Sequence, residues 1–118
     1  MMHLEITSWD LAKDLVKPIR YEAFVKAQSI PEEEEWDDFD KLAWHAVLKV
    51  DGIAVGTGRL MINGHQARIG RMAIDARYRG QGYGQAILRQ FIEVGKEKGV
   101  QEFILHAQVH AISFYAQS

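Results

Sequence analysis

Residues 72–91 read MAIDARYRGQGYGQAILRQF, and this stretch decides the fold. It begins as the end of an expected strand, residues 67–74. It ends inside a helical pattern whose apolar positions are 83, 87, 88, 91, 92 and 94, closed by Gly99. Between the two lies Arg79-Gly80-Gln81-Gly82-Tyr83-Gly84. Glycine permits positive φ and a close approach by a ligand. The N–H groups of such a loop and of the first helical turn converge, and the helix dipole adds positive potential. The product is an anion pocket suited to a pyrophosphate. The dinucleotide fingerprint G-x-G-x-x-G does not fit, because the third glycine comes one residue early. The P-loop pattern G-x-x-x-x-G-K-[ST] is absent. What remains is R-x-x-G-x-G, which is compatible with a ligand site or with a purely structural strand-to-helix turn.

Outward from this loop, the preceding segments read as antiparallel hairpins. Trp44, Ala46, Leu48 and Val50 alternate, and Asp51-Gly52 signals a tight turn. Residues 53–62 form the return strand, where Gly56 and Gly58 suggest a bulge or a close backbone approach. Asn63-Gly64 signals a second turn into the strand 67–74. Near the N-terminus, Leu4 and Ile6 mark a short strand. Residues 10–28 carry a helical pattern with Leu11, Leu15, Ile19 and Phe24, and Val16 and Ala23 beside them, as the apolar face, interrupted at Pro18 and ended by Pro31. After the loop and its helix, residues 102–107 hold the apolar run Phe103-Ile104-Leu105, expected to be a buried strand, and residues 111–115 start one more helix.

Length and composition narrow the class. A chain of 118 residues suits one domain, 1–118, with one core. Hydrophobic residues make up 47% and charged residues 25%, a globular rather than a disordered balance. With no cysteine, disulfide scaffolds, thiolate metal sites and cysteine nucleophiles are excluded, and no metal is expected. No apolar run reaches the roughly 20 residues of a membrane span, and no secretory pattern opens the chain, so a cytoplasmic protein without a membrane partner is expected. The formal net charge of −2 argues against a nucleic-acid partner. Charge is unevenly spread. EEEEWDDFD, residues 32–40, holds seven of the 16 acids, whereas residues 59–89 hold six arginines against the single acid Asp75. A basic block beside glycines fits a phosphate-bearing ligand, and it equally fits a solvated face.

The loop resembles the coenzyme A loop of the GNAT superfamily of N-acetyltransferases. Members typically read V-D-P-x-Y-R-G-x-G-x-G, and residues 74–84 here read IDARYRGQGYG, with Ala76 in place of the proline. A second family element, an Asn or Gln ahead of F-Y, is matched by Gln108 and Phe114-Tyr115. A third set resembles the ElaA-like branch: Arg20, Phe24-Val25, Gln28, Pro31, Glu35, Asp37, Asp40 and His45, with Ala23 and Ala27 departing from its pattern. The resemblance spans essentially the whole chain. It implies an α/β (α+β) fold with a mixed, mostly antiparallel central sheet flanked by helices on both faces.

It also implies an acetyl-CoA-dependent transfer of an acetyl group to a primary amine. Met72, Ala73 and Ile74 are expected to bond the pantetheine arm as an added strand does. The amides of Arg79, Gly80, Gln81, Gly82, Tyr83 and Gly84 are expected to hold the pyrophosphate, and Gln108 to bond the pantetheine or cap the last helix. Tyr115 is expected to donate to the departing thiolate. A phenol near ~10 and a thiol near ~8.5 make full transfer uphill by about 2 kcal/mol, so Tyr115 needs a lowered pKa or acts as a hydrogen-bond donor. No acid lies on residues 67–74, where many relatives carry the general base. His106, in the useful titration range, is the catalytic candidate, beside Glu35, Asp37, Asp40 and His45. Arg20, Glu35, Asp37, Asp40 and His45 are the candidates for contact with a small-molecule amine.

Members usually continue past F-Y into two further strands, whereas this sequence stops at Ser118. The expectation is a C-terminally truncated domain whose strand 102–107 lies on an open edge, a template for pairing with a second copy as a homodimer. The alternative to an active enzyme is a catalytically impaired acyl-CoA-binding or self-associating module.

Overall fold

Two tight turns fold the middle of the chain into a meander. The computed structural model describes residues 1–26, 28, 29, 31 and 38–105. Strands β2 (Trp44–Val50) and β3 (Ile53–Asn63) are joined at Asp51-Gly52, both with positive φ, as a type I′ hairpin requires. Strand β4 (Gln66–Ile74) follows β3 through Gly64-His65, one residue later than the Asn63-Gly64 signal, because Asn63 pairs with Gln66 inside the ladder. Strand β1 (Met2–Ser8) precedes helix α1 (Trp9–Arg20), and helix α2 (Tyr83–Glu97) leads to strand β5 (Glu102–Leu105). The sheet order is β1-β2-β3-β4-β5. The first three junctions are antiparallel and β4–β5 is parallel, with α2 as the crossover. The mixed, mostly antiparallel sheet expected from the sequence is therefore the one adopted.

One face of the sheet packs on α2. Ala46, Leu48, Leu60 and Ile69 meet Ile87, Leu88 and Phe91 in the main core. Gly58 makes this possible. A Cβ there would stand 2.6 Å from the Met72 Sδ and 2.8 Å from the Phe91 ring. The other face packs on α1, where Trp9, Ala12 and Val16 cover Val47, while Ile19 and Phe24 rest on Ala73.

Helix α1 differs from the sequence expectation. Its buried stripe is Trp9, Ala12, Val16, Ile19 and Arg20, whereas Leu11 and Leu15, expected inward, are 73% and 40% exposed. Ala12 and Val16, both fully buried, pack with Trp9 on Val47. Nor does one helix run over residues 10–28. Pro18 lacks an N–H, so one rung of the ladder is missing, and past Arg20 the chain widens into a π-helical turn, Tyr21–Lys26. The helix expected over residues 111–115 and the end of the strand expected over 102–107 lie outside the described residues. Within β5, Phe103 and Ile104 are half-buried and Leu105 is exposed. Among the described residues, no helix is long and apolar enough to cross a membrane.

Candidate active site

Strand β4 is irregular where it approaches the glycine loop. Thr57 pairs with Ala73 but Arg59 pairs with Gly70, so Arg71 and Met72 together oppose Gly58. This is a β-bulge, and Arg71 takes a φ of 50° to make it. The described pairing of β4 with β5 ends at Ile69↔Leu105, just before the bulge. Among the described residues, Met72, Ala73 and Ile74 have β3 on one side and no strand on the other. Among the described residues, the main-chain groups along this edge face no strand and suit pairing with a ligand.

The loop then leaves Ile74 through a short 3₁₀ turn, Ala76–Tyr78. Asp75 caps it, accepting from the Arg77 N–H at 3.0 Å and from the Arg77 guanidinium at 3.2 and 3.3 Å. Those hydrogen bonds hold the Asp75 carboxyl below its ordinary value. The Arg79 Nε donates to the Ile74 carbonyl at 3.1 Å, bracing the loop against the strand end. Gly80 and Gly82 are left-handed, with φ of 79° and 80°, and a Cβ built at either meets nothing within 4 Å. Gly82 is the N-cap of α2 and supplies no side-chain cap. The intrahelical ladder starts with the Ala86 N–H on the Gly82 carbonyl at 3.1 Å, so the Tyr83 and Gly84 amides precede the first rung. An unobstructed turn of amides at the positive end of a 15-residue helix suits a pyrophosphate.

A second constellation lies on the α1 face. Asp40 sits in a 3₁₀ turn, Asp38–Leu42, ahead of β2 and is 1% exposed. Arg20 of α1 grips its carboxylate with two bonds, at 2.9 and 3.3 Å. Arg59 of β3 adds a third at 3.1 Å. Burial by itself would raise the Asp40 pKa, but the hydrogen bonds and charges of Arg20 and Arg59 outweigh it and hold the carboxyl below its usual range. His45, paired with Arg59 across β2–β3, is fully buried. Its Nε2 donates to the Asp40 carbonyl at 2.8 Å, and its ring lies 4.8 Å from that of Trp9. Burial pushes its pKa down. His45 is therefore neutral near pH 7, with its buried Nδ1 unbonded among the described residues.

Of the residues singled out from the sequence, Met72, Ala73, Ile74, Arg79, Gly80, Gln81, Gly82, Tyr83 and Gly84 form one continuous strand-loop-helix path. Arg20, Asp40 and His45 meet in the buried cluster. Glu35, Asp37, His106, Gln108 and Tyr115 lie outside the described residues. Arg59 was singled out only as part of a basic block. Its signal is its place in VGTGRLMI, residues 55–62, because a charged side chain in an otherwise apolar central strand needs a buried counter-charge.

The fold agrees with what known proteins show. The pattern of the acetyltransferase (GNAT) family matches residues 9–118, and the chain belongs to this family of N-acetyltransferases. YyaT of Bacillus subtilis is 38% identical over 100 residues, covering 82% of this chain and 68% of that protein. A Lactobacillus plantarum protein assigned to the N-acetyltransferases has a solved structure that superposes with a TM-score of 0.85 at 26% identity, over 98% of this chain and 82% of that one. Escherichia coli ElaA shares the fold with a TM-score of 0.85 at 20% identity, over 99% of this chain and 85% of its own.

Proposed function

We propose that the protein transfers the acetyl group of acetyl-CoA to a primary amine. The observation that carries this reading is the bulged β4 edge, joined by one 3₁₀ turn to the left-handed Gly80 and Gly82 at the start of α2. Amides from Arg79 to Gly84 take the pyrophosphate, and the Met72–Ile74 edge takes the pantetheine amides as an added strand would. A main-chain N–H of that edge polarises the thioester oxygen as the amine attacks. The amine nitrogen bonds to the carbonyl carbon, the carbon–sulfur bond breaks, and the thiolate takes a proton or a hydrogen bond from Tyr115. The proton lost by the amine goes to a base drawn from His106, Glu35 or Asp37, directly or through water. Asp40 is a poor choice for that role, because two guanidiniums occupy its carboxylate. Arg20, Asp40 and His45 shape the acceptor side from the buried cluster, and Gln108 supports the pantetheine.

Calorimetry with coenzyme A, followed by a thiol-release assay over a panel of amines, tests the proposal. Binding with turnover on at least one amine is expected. Binding without turnover would favour an acyl-CoA-binding module, and absence of binding would remove the loop from the site.

A further inference from the structure

We infer that Arg59 is a positioning residue for the acceptor side of the cleft, acting through Asp40 and Arg20 on the wall that covers Ala73. The inference rests on the acetyl-transfer reading above.

Each link is short and buried. Arg59 donates to the Asp40 carboxylate at 3.1 Å, and Asp40 holds Arg20 with two bonds. Arg20 is the last residue of α1, and the π-helical turn Tyr21–Lys26 follows it directly. Phe24 of that turn and Ile19 of α1 rest on Ala73, in the β4 segment that faces the thioester in the proposed reaction. Arg59 itself pairs with Gly70, at the register shift that opens the same segment. Pro18 withholds a rung of the ladder and the π-turn is intrinsically weak. Asp40 thus ties three elements (the end of α1, the 3₁₀ turn and β3) into one frame. The frame sets where the α1 wall stands relative to the β4 edge. Arg59 acts through the Asp40 carboxylate, so its role is to position.

The geometry separates the two arginines. Arg59 reaches Asp40 through one Nη1 contact, which a lysine ammonium can replace, whereas the two-pronged Arg20 grip requires the planar guanidinium. Arg59→Met leaves the Arg20–Asp40 pair intact, so the variant is expected to fold.

Hydrogen exchange read peptide by peptide tests the frame without any activity. In Arg59→Met, amides of Tyr21–Lys26 and Asp38–Leu42 should exchange about tenfold faster, with α2 within about twofold of wild type. Arg59→Lys should restore slow exchange, and Arg20→Lys should not. Unchanged exchange at those two segments, or an equal rise throughout α2, overturns the inference. In steady-state kinetics, Arg59→Met should raise the amine KM about tenfold while coenzyme A affinity stays within about twofold. An unmoved amine KM in an active protein overturns the acceptor role. If wild type moves no acetyl group, the acetyl-transfer reading fails, and the exchange experiment still decides whether Arg59 holds the wall.

Discussion

The β4–α2 turn and the Asp40 cluster border the same strand, yet they are built from different material. The turn presents backbone: two left-handed glycines with open space above them and helix amides ahead of the first rung. The cluster presents side chains: two guanidiniums, a carboxylate and a neutral imidazole, all buried, drawn from α1, β2, β3 and a 3₁₀ turn. A backbone site tolerates change in its side chains but not in its φ angles. A buried ionic site tolerates backbone drift but not the loss of the group that neutralises its charges. Substitutions should therefore separate the two cleanly.

The largest effect is expected at the turn. Gly82→Glu places a β-carbon on a φ of 80° and a negative charge where the pyrophosphate would sit. Calorimetry should show coenzyme A binding abolished, with thermal stability only modestly lowered. Retained affinity would mean that the amides there do not contact the ligand. In the cluster, Asp40→Ala leaves two buried guanidiniums facing each other, and urea melts should show a loss of about 3–5 kcal/mol. A loss below about 1 kcal/mol would show that water reaches the cluster.

Tyr115→Phe sharpens the division between binding and chemistry. Turnover should fall about 10²-fold with coenzyme A affinity changed by only a few fold. Equal turnover would assign Tyr115 to packing.

Acid sensitivity should begin in the cluster, and Asp75 of the turn, held below its ordinary value by Arg77, joins it only below 3.8. The His45 pKa is depressed in the fold, so as pH falls below 6.5 the unfolded chain takes up a proton that the folded chain resists. Stability therefore declines from about that point down to the folded pKa. A second decline begins below 3.8, where the unfolded chain protonates an aspartate that Arg20 and Arg59 keep ionised in the fold. Urea midpoints measured between neutral pH and pH 5 should fall in wild type and fall less in His45→Gln. Parallel lines would place the titrating group elsewhere. The smallest effect is expected on the outer face of α1. Leu11→Ala should alter stability by less than about 0.5 kcal/mol, whereas Ile19→Ala should cost about 2–5 kcal/mol. Comparable losses would mean that Leu11 is covered in solution.

The sequence by itself determined the local features. Asp51-Gly52 forms its hairpin because positive φ at two adjacent positions suits few other residue pairs. The glycine loop opens α2 where expected because such a turn is set by φ preferences within a few residues. The sheet class follows from those turns. Tertiary structure alone decided which face of α1 is buried, since Leu11, Leu15, Ala12 and Val16 offer two competing apolar stripes and only packing with Trp9 on Val47 chooses between them. It also decided that the bulge falls at Arg71, a residue with no local preference for positive φ, because register is fixed by both neighbouring strands together. And it alone brought Arg20, Asp40, His45 and Arg59 to one point. An ion pair between distant residues leaves no periodicity or turn chemistry in the chain, and its partners are chosen only when burial makes an unpaired charge too costly to keep.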